Sequence, residues 1–312
     1  MNILVTGGCG YIGTILVPRL LDLGHDVTTV DIMWFGNYLQ NHKNLKVIQS
    51  DTRNIDDIYL DGVDAIIHLA NIANDPCGDL NAKLSWEVNA LATMRLVDKA
   101  VRSKVKQFLF ACSGSVYGVK EEPQVTEDLT LVPISDYNKT KMIAERVLLS
   151  YKDDIIVQSI RPATVCGYSP RMRLDVSVNM LTMQALTKGK ITVFGGTQVR
   201  PNINIKDIVN VFIYFLDHGD KYTGIYNAGF ENISILDIAK KVTEFVPAEI
   251  IVTESNDPRS YRLNADKLLS TGFKPQFGVR DAIEEIIKVY RDGKLQDDEK
   301  CYNIKTMKML SI

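Results

Sequence analysis

The stretch that most limits what this chain can become is TGGCGYIGT, residues 6–14, set between the apolar run NILVT (residues 2–6) and the amphipathic stretch IGTILVPRLLDLG (residues 12–24). Glycines at 7, 10 and 13 permit a tight turn from strand into helix and let a pyrophosphate approach the backbone closely. The anion then rests on a helix amino terminus, where unpaired N–H groups and the helix dipole favour negative charge. A lone glycine pattern carries little. This one is followed by Asp31 at the end of the next β-branched run, DVTTVD (residues 26–31). Strand, glycine turn, helix, strand and terminal carboxylate in that order form a dinucleotide-binding fingerprint.

The same rhythm continues. KVIQSD (46–51), DAIIHLA (64–70), QFLFACS (107–113) and IIVQSI (155–160) read as further strands, and helical periodicity fills about residues 81–104 and 134–151. Buried strands alternating with helices predict an α/β fold: a Rossmann-like, doubly wound parallel sheet covered on both faces. After Gly167 the elements shorten and mix: RMRLDVSVNMLTMQALTKGK, a strand ITVFGG, a helix NIKDIVNVFIYFLDHG, a strand GIYNAG and a helix SILDIAKKVTEFV. This predicts a dinucleotide-binding domain over residues 1–165, completed by 204–228, and a smaller C-terminal substrate-binding lobe over 166–312. The tail DDEKCYNIKTMKML reads as a final helix or a loose end.

Composition narrows the partners. With 36 basic against 38 acidic residues and a net charge of −2, the chain gives no global reason to bind nucleic acid or an anionic membrane. Any anionic ligand must be held by local features. The start MNILVTGG lacks the pattern of a secretory signal, and no apolar run is long enough to span a bilayer. Cys9, Cys77, Cys112, Cys166 and Cys301 are scattered, without a metal-ligand spacing, so the expectation is a reduced, cytoplasmic protein without a metal site.

Asp31 also bears on the choice of dinucleotide. A carboxylate there accepts hydrogen bonds from ribose hydroxyls and repels a 2′-phosphate, and the following DIMWFGN contains no arginine or lysine, which favours NAD over NADP. Asp51, at the end of the third strand, is either a turn residue or a contact to the adenine edge. Further on, ISDYNKTK (residues 134–141) places Tyr137 four residues before Lys141, one turn apart if helical. Tyr290 and Lys294 repeat the spacing. Spacing alone does not distinguish an acid/base pair from two surface residues.

The ordered set decides it. TGxxGxxG spacing, HLA at 68–70, WEVNALAT at 86–93, SGSVYG at 113–118, YNKTK at 137–141 and RPATVCG at 161–167 resemble the extended short-chain dehydrogenases/reductases, and within them the nucleotide-sugar epimerase/dehydratase group. The resemblance runs to about residue 290. It implies that Tyr137 and Lys141 face the nicotinamide, with Tyr137 as the base for a sugar hydroxyl and Lys141 holding the ribose. A free phenol near pKa ~10 is a poor base at neutral pH, and the resemblance implies that the ammonium and the nicotinamide lower it. It also implies that Ser113, rather than Ser115, bonds the reacting hydroxyl.

The implied NAD contacts are Gly7, Gly10, Tyr11, Ile12, Gly13, Asp31, Asp51, Thr52, Leu69, Ala70 and Asn89, with Tyr137 and Lys141. The implied substrate contacts are Ser113, Thr164, Asn179, Arg200 and Arg259, with Arg171, Arg173 and Arg262 as further candidates for a diphosphate.

Departures refine the activity. Gly114 and Ser115 stand where the related 4,6-dehydratases carry an Asp-Glu pair, which argues against elimination of water. Cys166 replaces a common tyrosine, and Cys9 a common alanine; both read as packing residues. RPNINIKD departs from the usual RDFVHVxD, and SPRMRLD resembles a branch oxidising C4 of nucleotide-linked sugars, heptoses included. The expectation is an NAD-dependent nucleotide-diphosphate-sugar epimerase acting through a transient keto sugar, at C4. The alternatives are a nucleotide-sugar 4-dehydrogenase or reductase with net redox change and, more distantly, a non-catalytic NAD-binding sensor. Helices 81–104 and 134–151 resemble those that pair in the family's dimers, implying a homodimer.

Overall fold

The computed structural model describes residues 1–254 and 260–312. Six strands read along the first half are β1 (Asn2–Thr6), β2 (Asp26–Asp31), β3 (Leu45–Gln49), β4 (Ala65–His68), β5 (Gln107–Ala111) and β6 (Ile156–Pro162). With β10 (Gly224–Ala228) they form one seven-stranded sheet in the order β10-β6-β5-β4-β1-β2-β3. Every pairing is parallel; β1 runs beside β2 from Asn2 opposite Asp26 to Thr6 opposite Val30, and beside β4 on its other edge. The reversal of strand order at β1 opens a crevice at the strand carboxyl ends, the place where doubly wound sheets bind ligands.

Helices cover both faces because the central strands are largely apolar and buried on both sides: β4 and β5 are buried at every position. The covering helices are α1 (Gly13–Asp22), α2 (Asp75–Leu80), α3 (Ala82–Trp86), α4 (Ala92–Arg102) and α5 (Asp136–Ser150). The helical stretch expected over 81–104 is interrupted by a π-helical turn, Glu87–Leu91, between α3 and α4. Such turns bulge one residue out of register and often mark a site.

The second lobe holds β7 (Thr164–Cys166), β9 (Val199–Asn204) and β11 (Glu231–Ser234) in one small sheet, and β8 (Lys190–Phe194) beside β12 (Glu249–Thr253) in another. Helices α6 (Ser177–Lys188), α8 (Ile235–Thr243) and α10 (Val279–Arg291) enclose a separate core around Val178, Leu181, Ile191, Ile238 and Ile283. The chain returns to the large sheet through α7 (Ile205–His218) and β10, and α9 (Asp266–Ser270) packs near β10.

Strand β9 escaped the sequence reading because Pro201 lies in it; it accommodates the proline in a pairing opposite Asn232. The tail forms a 3-10 turn, Glu299–Cys301, and α11 (Asn303–Met309), which returns to the first lobe. There Met307 joins Ile72, Cys77, Leu84 and Val88 in a third apolar cluster, flanked by Trp34 and Phe35.

Candidate active site

The turn between β1 and α1 excludes a side chain at Gly7 and Gly13. Gly7 has φ +73°, and a Cβ there would lie 2.6 Å from the Ala70 nitrogen; one on Gly13 would lie 2.5 Å from the Gly8 carbonyl oxygen. Gly10 differs, since its nearest neighbour would be the Gly7 carbonyl oxygen at 3.1 Å. Its outer side is the open cleft. Helix α1 then starts without a side-chain cap and without an acidic residue in its first turn, leaving its positive end to an anionic ligand.

Asp31 accepts from the Cys9 N–H at 3.0 Å and the Met33 N–H at 2.7 Å, tying the end of β2 to the glycine turn. Burial raises its carboxyl above the ordinary range, opposed by those two N–H groups and by the Arg171 charge.

From this turn a cleft of about 620 Å³ runs across the strand carboxyl ends. Gly7, Gly10, Tyr11, Ile12, Gly13 and Asp31 line one end, with Asp51, Thr52, Leu69 and Ala70 beside them. Ser113, Tyr137, Lys141, Thr164 and Arg200 line the other. Asp51 is already engaged: burial opposes its charge, yet the Arg53 guanidinium, donating through Nε at 3.0 Å and Nη2 at 2.7 Å, holds it below the usual carboxylate range. The cradle suits a dinucleotide: a glycine approach, a free helix end and an acceptor-only carboxylate.

Two expected contacts do not line the cleft. Asn89, in the π-helical turn, is spent on the backbone of Ile72 (2.7 and 3.2 Å) and on Thr140 Oγ1 (3.0 Å), clamping the loop after β4 to α5. Asn179 is fully buried; it accepts from the Gly167 N–H at 2.9 Å and donates to Tyr11 Oη at 2.9 Å and the Arg173 carbonyl at 2.8 Å. Both side chains hold the walls together, and a polar side chain saturated inside has nothing left for a ligand. Arg262 is exposed and Arg259 lies outside the described residues.

Helix α5 is capped by Ser135, whose Oγ accepts from the Asn138 N–H at 3.2 Å. This cap sets Tyr137 in the first turn and Lys141 one turn later, facing the sheet. By contrast α10 ends at Arg291, so Tyr290 and Lys294 never share a helical face. Lys141 is 1% exposed, donates to the Ala111 carbonyl at 2.7 Å and lies 4.9 Å from the Phe110 ring centre; burial pulls its ammonium down to about 8.

Burial pushes the Tyr137 phenol up to about 12, opposed by a hydrogen bond with Ser113 and by the Arg173 charge. The downward pull expected from Lys141 is therefore exerted in this protein by Ser113 and Arg173. The Lys141 ammonium is directed at a backbone carbonyl instead.

Ser113 sits at the end of β5 and caps the 3-10 turn Gly114–Tyr117. Its Oγ accepts from the Ser115 N–H at 3.2 Å and lies 2.7 Å from Ser115 Oγ. Ser115 Oγ in turn donates to Asn138 Oδ1, and Asn138 Nδ2 donates to Asp75 at 3.1 Å. Asp75 also accepts from Ser135 Oγ at 2.5 Å.

The carboxylate fixes the direction of the chain as far as Ser115. Asp75 only accepts, so Asn138 presents its carbonyl to Ser115; Ser115 gives its proton there, and toward Ser113 it is left an acceptor, with the single Ser113 proton serving either Ser115 or Tyr137. Ser113 and Ser115, competitors by sequence, belong to one row. Asp75 and Asn138 were missed at the sequence level; Asn138 was visible only as the second letter of YNKTK.

Other motif residues are structural. Arg161 and Glu145, 1% and 0% exposed, pair at 2.5 Å, and Arg161 also donates to Tyr117 Oη at 2.6 Å. Burial raises the thiols of Cys9, Cys77, Cys112 and Cys166, so none is a nucleophile by virtue of its surroundings. Among the described residues no group of three or more His, Cys, Asp or Glu side chains is placed to hold a metal, and no helix is long and apolar enough to cross a membrane.

A parallel sheet reversing at β1 and a glycine turn that leaves a helix end open define a dinucleotide-dependent α/β enzyme. The model of the NAD dependent epimerase/dehydratase family matches residues 3–229, and the chain belongs to that family, within the extended short-chain dehydrogenases/reductases. UDP-glucose 4-epimerase of Lactobacillus helveticus is 28% identical over 310 residues, covering 88% of this chain and 92% of the relative. Among solved structures, MoeE5 in complex with UDP-glucuronic acid and NAD is 26% identical with a TM-score of 0.83, covering 94% of this chain and 100% of that one. UDP-glucuronic acid 4-epimerase from Bacillus cereus, in complex with UDP-glucuronic acid and NAD, is 25% identical with a TM-score of 0.80, over 93% of this chain and 99% of that one. The cofactor is NAD.

Proposed function

We propose that the protein epimerises a nucleotide-diphosphate sugar at C4 through a transient keto sugar, retaining NAD. The observation that supports this most is the convergence of Ser113, Tyr137 and Lys141 in the same cleft as the dinucleotide cradle. Bound NAD supplies a hydride acceptor and a positive ring.

Tyr137 takes the proton of the sugar hydroxyl at its Oη, and Ser113 hydrogen-bonds at the reacting end, its one proton serving either Tyr137 or Ser115. Because burial holds the phenol near 12 even with Ser113 and Arg173 opposing it, the charges brought by the loaded cofactor supply the remaining pull. Lys141 holds the nicotinamide ribose. Thr164 and Arg200 line the substrate end, where a guanidinium suits a diphosphate. Epimerisation then requires the keto sugar to present its other face before Tyr137 returns the proton, and no net redox change results.

Elimination of water is disfavoured by the same geometry. It needs an acid and a base beside Ser113, and the chain offers Gly114 and a Ser115 already tied to Asn138. UDP-sugars head the list of substrates, because the relatives named above act on or bind them.

The test is to incubate the purified protein, with no cofactor added, with UDP-, GDP-, CDP- and dTDP-sugars, following NADH absorbance and product NMR together, with Tyr137→Phe as control. A new stereoisomer formed catalytically without accumulated NADH is expected. A stoichiometric burst of NADH with a stalled keto sugar would replace this reading with a net dehydrogenase.

A further inference from the structure

Arg171 is an anomaly in the cleft. It is 3% exposed, yet it forms no ion pair among the described residues, and its Nε has no hydrogen-bond partner. What holds it is neutral: Nη2 donates to Asn303 Oδ1 at 2.5 Å, Nη1 reaches the Met172 carbonyl at 3.5 Å, and the guanidinium lies 3.9 Å from the Phe35 ring centre. Asp175 and Asp31 act on it only from a distance, and burying a cation with no carboxylate in contact is costly, a cost an arginine does not escape by losing its proton. A guanidinium held over a ring with a donor to spare is arranged for an anion that arrives later.

The surroundings of Arg171 indicate which anion. Phe35 lies four residues beyond Asp31 in the segment leaving β2, and the Arg171 charge acts on the Asp31 carboxyl. Its neighbour Arg173 is paired with Asp175 at 2.9 Å and acts on both Tyr137 and Tyr11. Arg171, stacked near Phe35 in the segment that follows Asp31, thus lies toward the cofactor end.

Its anchor Asn303 opens α11, whose Ile304 and Met307 line the same cleft while Met307 packs on Ile72, Cys77, Leu84 and Val88. A second tie fastens this helix, since the Asn303 N–H donates to Asp175 at 3.1 Å. The carboxy-terminal helix therefore forms a wall of the dinucleotide site and is coupled to it through Arg171.

We propose that Arg171 binds the pyrophosphate of NAD, and that α11, joined to it through Asn303, closes over the cofactor so that it is retained through turnover. This rests on the chain's use of NAD and deepens the epimerase reading, for which a cofactor that never leaves is a requirement.

The test uses the full-length protein and reads binding, not turnover. NAD carried through gel filtration is released and quantified, and nucleotide-free protein is titrated calorimetrically with NAD, NADP, ADP, adenosine and UDP. Arg171→Gln is expected to weaken NAD and ADP about tenfold or more, with Arg171→Lys partly restoring them, and to leave adenosine and UDP within about twofold. Asn303→Ala is expected to speed NAD release by several-fold.

A loss of UDP affinity in place of NAD affinity would make Arg171 a substrate residue. A loss confined to NADP would place it on a 2′-phosphate. Unchanged NAD affinity in Arg171→Gln, or unchanged release in Asn303→Ala should the first variant not fold, overturns the proposal. If the parent converts no sugar nucleotide while Arg171→Gln loses NAD, the inference stands and the epimerase reading falls.

Discussion

Lys141→Met is expected to cost the reaction while stabilising the fold at neutral pH, and the size of the effect follows from burial. Lys141 is held at about 8 against an ordinary 10.5, so its charged form is disfavoured in the folded state by about 3 kcal/mol. Methionine, of similar length and apolar, removes that penalty. It also strands the Ala111 carbonyl, now bonded at 2.7 Å, which costs about 1–3 kcal/mol irrespective of pH.

The sign of the pH dependence separates the two effects. Between about 8 and 10.5 the unfolded chain keeps the lysine proton while the folded chain has released it, so parental stability rises with pH across that window. The methionine variant lacks this rise. Its advantage over the parent should therefore shrink by about 2 kcal/mol between roughly pH 7.5 and pH 9.5. Urea unfolding of the cofactor-free proteins at the two pH values measures this double difference, in which every other titrating group cancels. An advantage that stays constant with pH would refute the claim that Lys141 is desolvated, whatever its absolute size.

Two further perturbations probe the supports of the site. Gly78 of α2 lies against the Tyr137 residue of α5, where a Cβ would come within 2.9 Å of the Tyr137 Cβ; Gly78→Ala is expected to lower kcat about tenfold by displacing Tyr137, with NAD content unchanged, as checked by steady-state kinetics beside nucleotide analysis. Arg161→Ala strands the buried Glu145 carboxylate and is expected to cost about 3–5 kcal/mol in urea unfolding, whereas an apolar replacement of both partners should recover much of it.

The division between what was legible in the chain and what was not follows the range of the interactions. Strand, glycine turn, helix and Asp31 are contiguous, and their meaning rests on backbone sterics and a helix end that are set within a few residues. The sevenfold parallel sheet followed from buried β-branched runs alternating with helices, although β9 stayed hidden behind Pro201 because pairing, not propensity, makes it a strand. The Tyr137/Lys141 pair was readable only from its surrounding motifs; the structure supplies the local reason, a Ser135 cap that starts α5 in that register.

What lay beyond reach were partners distant in sequence. Asp75 directs the hydroxyl of Ser115 through Asn138, 63 positions away, and Asn303 holds Arg171 across 132 positions. Asn89 and Asn179 look like ligand residues in their motifs, but folding brings backbone groups of Ile72, Gly167 and Arg173 to them first. The sequence by itself determined the fold class and the anion-binding turn, because those arise from local geometry and periodicity. Only the tertiary structure decided which polar side chains remain available to a ligand, because hydrogen-bonding capacity is finite and long-range contacts determine where it is used.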